Sequence, residues 1–335
     1  MLLDLLGLIL SLVVILFCCE LFTNSIEWLG KKMKVGEGVV GSLFSAVGTC
    51  LPETIIPIIA LIFSKATIES ESIGIGAIIG APFMLSTLAF FLTGLSVLIF
   101  WRRRKTRLVL KVNCKILSRD IGFFIVVYSF GILSSFITLQ PLKYLIAGAL
   151  LFCYAYYVVI TVKQDVAVHT ELEPLFIIRF TKFSPELPMI TLQIVISLLG
   201  IILGAELFIR MTANTSGFIG ISPLALSLLI TPVATELPEK FNSISWIRKK
   251  KDTLALGNIT GAMVFQSCIP VSVGIFATTW QLDIKALVSA CLAIMSALFT
   301  FFWIKIKGKL SAVPLLFGGL FYAAFIVFLI LRGFK

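Results

Sequence analysis

Charge is the scarcest feature of this sequence: only 13% of the 335 residues are charged, whereas 59% are hydrophobic. A water-soluble domain of this length needs far more charge to cover its surface, so the composition indicates that a lipid bilayer is the solvent. Uncharged stretches long enough to cross a hydrocarbon core of about 30 Å recur along the chain, as in residues 72–101 and 253–282.

Residues typical of catalysis and of zinc binding are also few. The only histidine, His169, falls in a polar connection, where a solvated residue is the ordinary interpretation. The seven cysteines lie mostly in apolar segments and form no C-x-x-C pair, which argues against a zinc site or a disulfide scaffold. The sequence has no H-E-x-x-H motif, Ser/His pair or pair of intramembrane aspartates. We therefore predict neither an enzyme nor a bound cofactor.

Ten apolar segments predict an all-α membrane protein of ten transmembrane helices, called spans 1 to 10 below. They lie near residues 2–28, 38–64, 73–100, 120–138, 142–162, 189–213, 221–247, 254–279, 284–304 and 311–331. Most of the 28 Lys and Arg residues follow odd-numbered spans, so the positive-inside rule predicts those connections in the cytoplasm and both termini outside. Because these residues lie between spans, the net charge of +11 does not indicate nucleic-acid binding.

The chain aligns with itself. Residues 20–53 match residues 206–239 without gaps, sharing Glu-Leu-Phe near the start and Leu-Pro-Glu at the end, and residues 75–81 resemble residues 256–262. Five spans in each half, an odd number, would insert the two halves in opposite orientations. Such inverted repeats, with a site at their interface, are typical of secondary transporters.

We accordingly divide the chain into two inverted five-helix repeats, residues 1–162 and 189–335. A cytoplasmic loop, residues 163–188, joins them. This loop mixes charged and apolar residues and is predicted to form a short amphipathic helix on the membrane surface.

The repeated motif Thr-x-Leu-Pro-Glu occupies residues 49–53 and 235–239, near the centres of spans 2 and 7. Glu53 and Glu239 would then lie near the bilayer midplane, where an acid costs on the order of 3 kcal/mol and marks a functional site. Because proline has no N–H, the motif should also release a backbone carbonyl one turn earlier in each span. Carboxylates, carbonyls and threonine oxygens together suit a hard cation such as Ca²⁺. The alternative is a proline-kinked helix whose glutamate is protonated or paired.

These motifs resemble those of the cation/calcium exchanger superfamily, whose membrane region has two α-repeats. The first motif region, residues 41–85, contains Gly-Thr-Cys-Leu-Pro-Glu, similar to the family's G-T-S-x-P-E. The second, residues 220–266, contains Ala-Thr-Glu-Leu-Pro-Glu and Ala-Leu-Gly-Asn-Ile-Thr-Gly, similar to the family's A-L-G-N-x-x-G. The resemblance covers essentially the whole chain and implies a ten-helix fold. It also implies that Glu53 and Glu239 bind Ca²⁺, assisted by Thr49 and Thr235.

The sequence departs from that family at several ligand positions. The positions of the third-helix ligands hold Ala81 and Leu85, neither of which can coordinate a cation. The equivalent eighth-helix positions hold Ala262 and Gln266, so only Gln266 retains an oxygen ligand. These positions serve Na⁺ in the family, so the counter-ion stays open between Na⁺ and H⁺.

Two further charges stand beside the second motif. Glu236 replaces the family's serine and adds a third acid. Lys240 lies four residues later, where it could pair with Glu236 or extend towards the cytoplasm.

The sequence therefore predicts a secondary active antiporter of a bacterial or archaeal plasma membrane, exchanging Ca²⁺ for Na⁺ or H⁺ by alternating access. The cations are substrates rather than cofactors, and the expected partners are inorganic cations and the lipid bilayer. A related antiporter for another cation and a non-transporting homologue are the alternatives, and the oligomeric state stays open.

Overall fold

The structure, a computed structural model, describes residues 2–32, 50–63, 68–164, 174–178 and 186–332. The helices are α1 (Leu2–Lys32), α2 (Leu51–Ile58), α3 (Ile68–Met84), α4 (Phe90–Ile99), α5 (Cys114–Leu133), α6 (Gln140–Gln164), α7 (Leu187–Ile219), α8 (Pro223–Thr235), α9 (Leu237–Arg248), α10 (Asp252–Ala277), α11 (Ile284–Lys307) and α12 (Ala312–Arg332). Short 3₁₀ turns occupy Trp101–Arg103, Ser134–Phe136 and Phe176–Ile178. All regular structure in the described ranges is helical apart from one isolated antiparallel bridge.

Eight helical stretches within the described residues are long and apolar enough to cross a membrane. They correspond to predicted spans 1, 3, 4, 5, 6, 8, 9 and 10. Span 3 differs in detail, because a π-helical turn, Leu85–Ala89, joins α3 to α4. Of span 2, only residues 50–63 are described, as α2 followed by the π turn Ile59–Phe63.

Span 7 is two helices rather than one. α8 ends at Thr235, a turn at Glu236 intervenes, and α9 begins at Leu237. Pro238 explains the break, because a proline has no N–H to bond back into α8 but is tolerated in the first turn of a new helix.

Of the predicted loop 163–188, the structure describes residues 163–164, which end α6, and residues 174–178 and 186–188. Leu175 precedes a 3₁₀ turn and Ile178 ends it, and both are buried against Ile190 of α7. This short piece therefore packs into the protein through apolar contacts. His169 lies outside the described residues.

Close helix packing depends on glycine at the centre of the bundle. α3 packs along α8 and α1 along α7. A Cβ atom on Gly80 would lie 2.6 Å from the carbonyl oxygen of Leu228, and one on Gly204 would lie 2.8 Å from the side chain of Ile15. Only glycine lets these backbones approach so closely, as in other membrane helix pairs.

Three connections meet on one face of the bundle and form what we call the basic seam: residues 100–113, 248–252 and 308–312. The Arg104 guanidinium donates two hydrogen bonds to the Asp252 carboxylate, one of 2.8 Å, and both residues are buried. Backbone bonds of 2.9 Å from Leu110 N to Leu310 O and from Ala312 N to Leu108 O join the first connection to the third.

A second cluster closes the other end of α10. Trp280 is fully buried with a φ of 47°, and its Nε1 donates a 2.9 Å bond to the carbonyl of Gly131. The ammonium of Lys143 donates to the carbonyls of Thr279 and Trp280. Since α10 starts at Asp252 in the basic seam and ends at Ala277 beside Trp280, the two clusters lie at opposite ends of the bundle.

Candidate cation site

Glu53 is buried near the start of α2. Cys50 caps α2, and Pro52 occupies its first turn, where the missing N–H costs nothing. Glu53 is therefore the third residue of a helix that begins inside the bundle, and it is 3% exposed. The hydroxyl of Thr54 donates a 2.7 Å bond to the carbonyl of Cys50. Thr49 lies outside the described residues.

Gln266 brings α10 to the same place. Its Nε2 donates a 3.4 Å bond to the carbonyl of Cys50, which links α10 to the first turn of α2. Gln266 is 1% exposed, and its Oε1 accepts no hydrogen bond within the part of the chain that the structure describes. A buried amide oxygen without a donor is costly, so it is available to a cation.

The second motif repeats the backbone arrangement of the first. Glu239 is the third residue of α9, just as Glu53 is the third residue of α2. Each acid therefore lies the same number of residues from the start of its helix. The side chains of Thr235 and Glu239 lie outside the described part of the structure, so their roles as ligands stay predictions.

Glu236 and Lys240 form an ion pair at the break between α8 and α9. The Lys240 Nζ lies 3.2 Å from Glu236 Oε2 and 3.4 Å from the carbonyl oxygen of Pro232. Glu236 is 1% exposed and Lys240 is 5% exposed. The lysine therefore holds its ammonium inside the protein, beside the acid.

The π turn between α3 and α4 begins at Leu85. Leu85 is one of the two apolar residues of span 3 that stand at the family's ligand positions. Ala81 and Leu85 are buried, and so is Ala262 in α10. The next two residues after Leu85 carry hydroxyls, but Ser86 donates to the carbonyl of Pro82 at 2.8 Å and Thr87 to that of Phe83. These hydroxyls therefore bond to backbone carbonyls of the preceding turn. The π turn itself was not predicted from the sequence.

A further buried acid, Asp120, was not predicted as a site residue. Asp120 of α5 is 4% exposed, accepts a 2.8 Å bond from Arg119 and contacts the hydroxyl of Thr260 at 3.3 Å. The Arg119 guanidinium also lies over the ring of Tyr157. Asp120 was not singled out from the sequence, because it stands next to Arg119 at the end of a predicted span. Among the side chains described, no three from His, Cys, Asp and Glu cluster closely enough to hold a metal ion.

Comparison with known proteins agrees with this architecture. Residues 3–163 and 189–334 match the family described as sodium/calcium exchanger protein. An uncharacterized membrane protein of Methanocaldococcus jannaschii, MJ0091, is 24% identical over 95% of this chain and 94% of its own. A putative antiporter of Alkalimonas amylolytica, CaxA, is 28% identical over 44% of this chain and 48% of its own.

Solved structures share the fold. The H⁺/Ca²⁺ exchanger CAX superposes with a TM-score of 0.70 at 16% identity, over 98% of this chain and 82% of its own. The sodium-calcium exchanger NCX_Mj superposes with a TM-score of 0.60 at 20% identity, over 97% of this chain and 98% of its own. As its repeated motifs predicted, the chain belongs to the sodium/calcium exchanger protein family.

Proposed function

We propose that this protein is a secondary antiporter that exchanges Ca²⁺ for a monovalent cation at a site formed by Glu53, Glu239 and Gln266. The observation that carries the proposal is the buried acid in the first turn of α2, to which Gln266 of α10 is linked through the Cys50 carbonyl, together with the buried Gln266 oxygen, which accepts no hydrogen bond from the described residues. Thr49 and Thr235 would complete the oxygen set, and Glu236 adds a third acid, paired with Lys240.

Charge supplies the coupling. Carboxylates held away from water are costly unless a cation compensates them. An empty carrier would therefore reorient slowly, whereas a carrier loaded with one Ca²⁺ or with several smaller cations would reorient readily. This difference converts binding into exchange instead of a leak.

The missing ligands bear on the identity of the counter-ion. Ala81, Leu85 and Ala262 offer no side-chain oxygen at buried positions of spans 3 and 8. A site with fewer oxygen ligands suits Na⁺ poorly and makes H⁺ a strong rival. The two superposed exchangers are a proton exchanger and a sodium exchanger, so a functional assay must decide between them.

We further propose ten helices in two inverted repeats, residues 1–162 and 189–335, joined by the loop 163–188. The packing supports this, because contacts occur in related pairs: α3 with α8 and α2 with α10, and α5 with α10 and α11 with α3. The basic seam gathers three lysine- and arginine-rich connections on one face, which supports a cytoplasmic seam and termini on the outer side.

The test is ⁴⁵Ca²⁺ uptake into proteoliposomes, with Na⁺ and H⁺ gradients imposed separately. Replacing Glu53 by Gln removes a buried negative partner worth about 3–5 kcal/mol, so Ca²⁺ exchange should fall at least ~100-fold. Glu69→Gln is the matched control, because that glutamate is exposed in the first turn of α3.

Four outcomes would count against the proposal. No Ca²⁺ movement under either gradient would contradict Ca²⁺ exchange, and competition by other divalent cations would reveal a different substrate. Transport that survives both Glu53→Gln and Glu239→Gln would show that these acids are not the central ligands. A folded protein that moves no cation at all would favour the non-transporting alternative.

A further inference from the structure

Lys240 places a positive charge inside a site whose task is to bind positive charge. We propose that the Lys240 ammonium occupies the place of a monovalent cation and so sets how much charge must accompany each Ca²⁺. The inference rests on the proposed function and assigns Lys240 as the residue that determines which cations the site requires.

The surroundings of the ammonium are those of a cation site. Its contacts are one carboxylate oxygen, from Glu236 at 3.2 Å, and one backbone carbonyl, from Pro232 at 3.4 Å. A bound monovalent cation would use the same kinds of donors. The side chains of Lys240 and Glu236 are 4% and 2% exposed, so water screens the pair little.

Glu236 depends on this lysine. Both of its carboxylate oxygens are buried, and in the described part of the chain the Lys240 ammonium is the one donor group that lies within 3.2 Å of either. The Lys240 ammonium is the only basic group that the structure places within ion-pair distance of it, among the residues described. Without the lysine, this buried acid would need another cation.

The charges at the proposed site then balance those of one Ca²⁺. Glu53, Glu239 and Glu236 supply three negative charges, and Lys240 supplies one positive charge. The difference is two negative charges, which one Ca²⁺ neutralises without a further ion. Removing Lys240 leaves one negative charge that Ca²⁺ alone does not compensate, so a monovalent cation would have to bind as well.

The covalent attachment of the ammonium also explains why free monovalent cations do not take its place. The ammonium is covalently attached four residues after Glu236, so its local concentration does not change with the salt outside. A free Na⁺ or K⁺ would have to displace it to reach Glu236. The unchanged protein should therefore bind Ca²⁺ in choline salts, with no need for Na⁺ or K⁺.

The test measures ⁴⁵Ca²⁺ binding and exchange at fixed pH in choline, Na⁺ and K⁺ media. The unchanged protein should bind Ca²⁺ in choline without Na⁺ or K⁺. Lys240→Gln should lose Ca²⁺ binding in choline and regain it in Na⁺ or K⁺, a difference of at least about tenfold. The double variant Glu236→Gln, Lys240→Gln removes both charges and should again bind Ca²⁺ in choline.

Lys143→Gln is the matched control, because Lys143 is also buried but donates to backbone carbonyls of the Trp280 cluster. It should bind Ca²⁺ in choline as the unchanged protein does. The inference is overturned if Lys240→Gln binds Ca²⁺ in choline as well as the unchanged protein does, or if the folded double variant retains the defect of the single one. Failure of the unchanged protein to move Ca²⁺ under any gradient would instead refute the proposed function.

Discussion

Arg104 offers the sharpest test of what holds the two halves of the chain together. Its guanidinium and the Asp252 carboxylate are 3% and 1% exposed, and Asp252 also accepts a 2.7 Å bond from the backbone N–H of Lys111. Replacing Arg104 by Met removes two charge-assisted hydrogen bonds and leaves a buried carboxylate with only that backbone donor shown. Loss of one partner from a buried ion pair costs about 3–5 kcal/mol, so the free energy of unfolding should fall by that amount.

Arg103→Met is the control, because Arg103 is exposed on the same connection, and its replacement should change stability by less than about 0.5 kcal/mol. Unfolding in mixed micelles can be followed with a thiol-reactive dye, since Cys50 and Cys268 are buried in the folded protein. A double replacement, Arg104→Met with Asp252→Leu, should cost less than the single Arg104 replacement plus Asp252→Leu, because no unpaired charge remains. Equal stability of the Arg104 and Arg103 variants would refute the reasoning.

Three further changes probe packing and the site. Gly80→Ala should destabilise the protein by about 1–3 kcal/mol, because the added Cβ would press against α8. Gly148→Ala is the control, and it should be neutral or slightly stabilising, because no atom lies within 4 Å of its new Cβ. Thermal unfolding measures both variants. Trp280→Phe removes the indole donor to the Gly131 carbonyl, which keeps the Ser134 hydroxyl, and leaves a space where a fully buried ring packed. It should cost about 1–3 kcal/mol in the same assay. Gln266→Leu removes one neutral oxygen ligand worth about 1 kcal/mol, so Ca²⁺ affinity should fall roughly fivefold in a binding titration, and an unchanged affinity would exclude Gln266 from the site.

The spans were predictable because hydrophobic length is a local property. The eight stretches found in the described residues follow the uncharged runs, and ends differ mainly where a cap sets them. α5 begins at Cys114 instead of near residue 120, because the Asn113 side chain accepts hydrogen bonds from two N–H groups of its first turn. The π turn Leu85–Ala89 had no such local cue.

The site was predictable in its residue types and less so in its contacts. The repeated Leu-Pro-Glu motif pointed to Glu53, and the structure buries that acid in the first turn of α2. The spacing of Glu236 and Lys240 allowed pairing or extension towards water, and only the packing around α8 and α9 decides between them. The Arg104–Asp252 pair joins residues 148 positions apart, a separation at which a single sequence carries no contact signal.

The basic seam limits which parts of the protein can move during a transport cycle. It stitches a connection of the first half to two connections of the second, by a buried ion pair and by paired backbone bonds. Rigid rotation of one half against the other would break this ion pair and these backbone bonds. α1 and α7 contribute no residue to the seam and pack against each other, so a movement of these two helices alone would leave the seam intact.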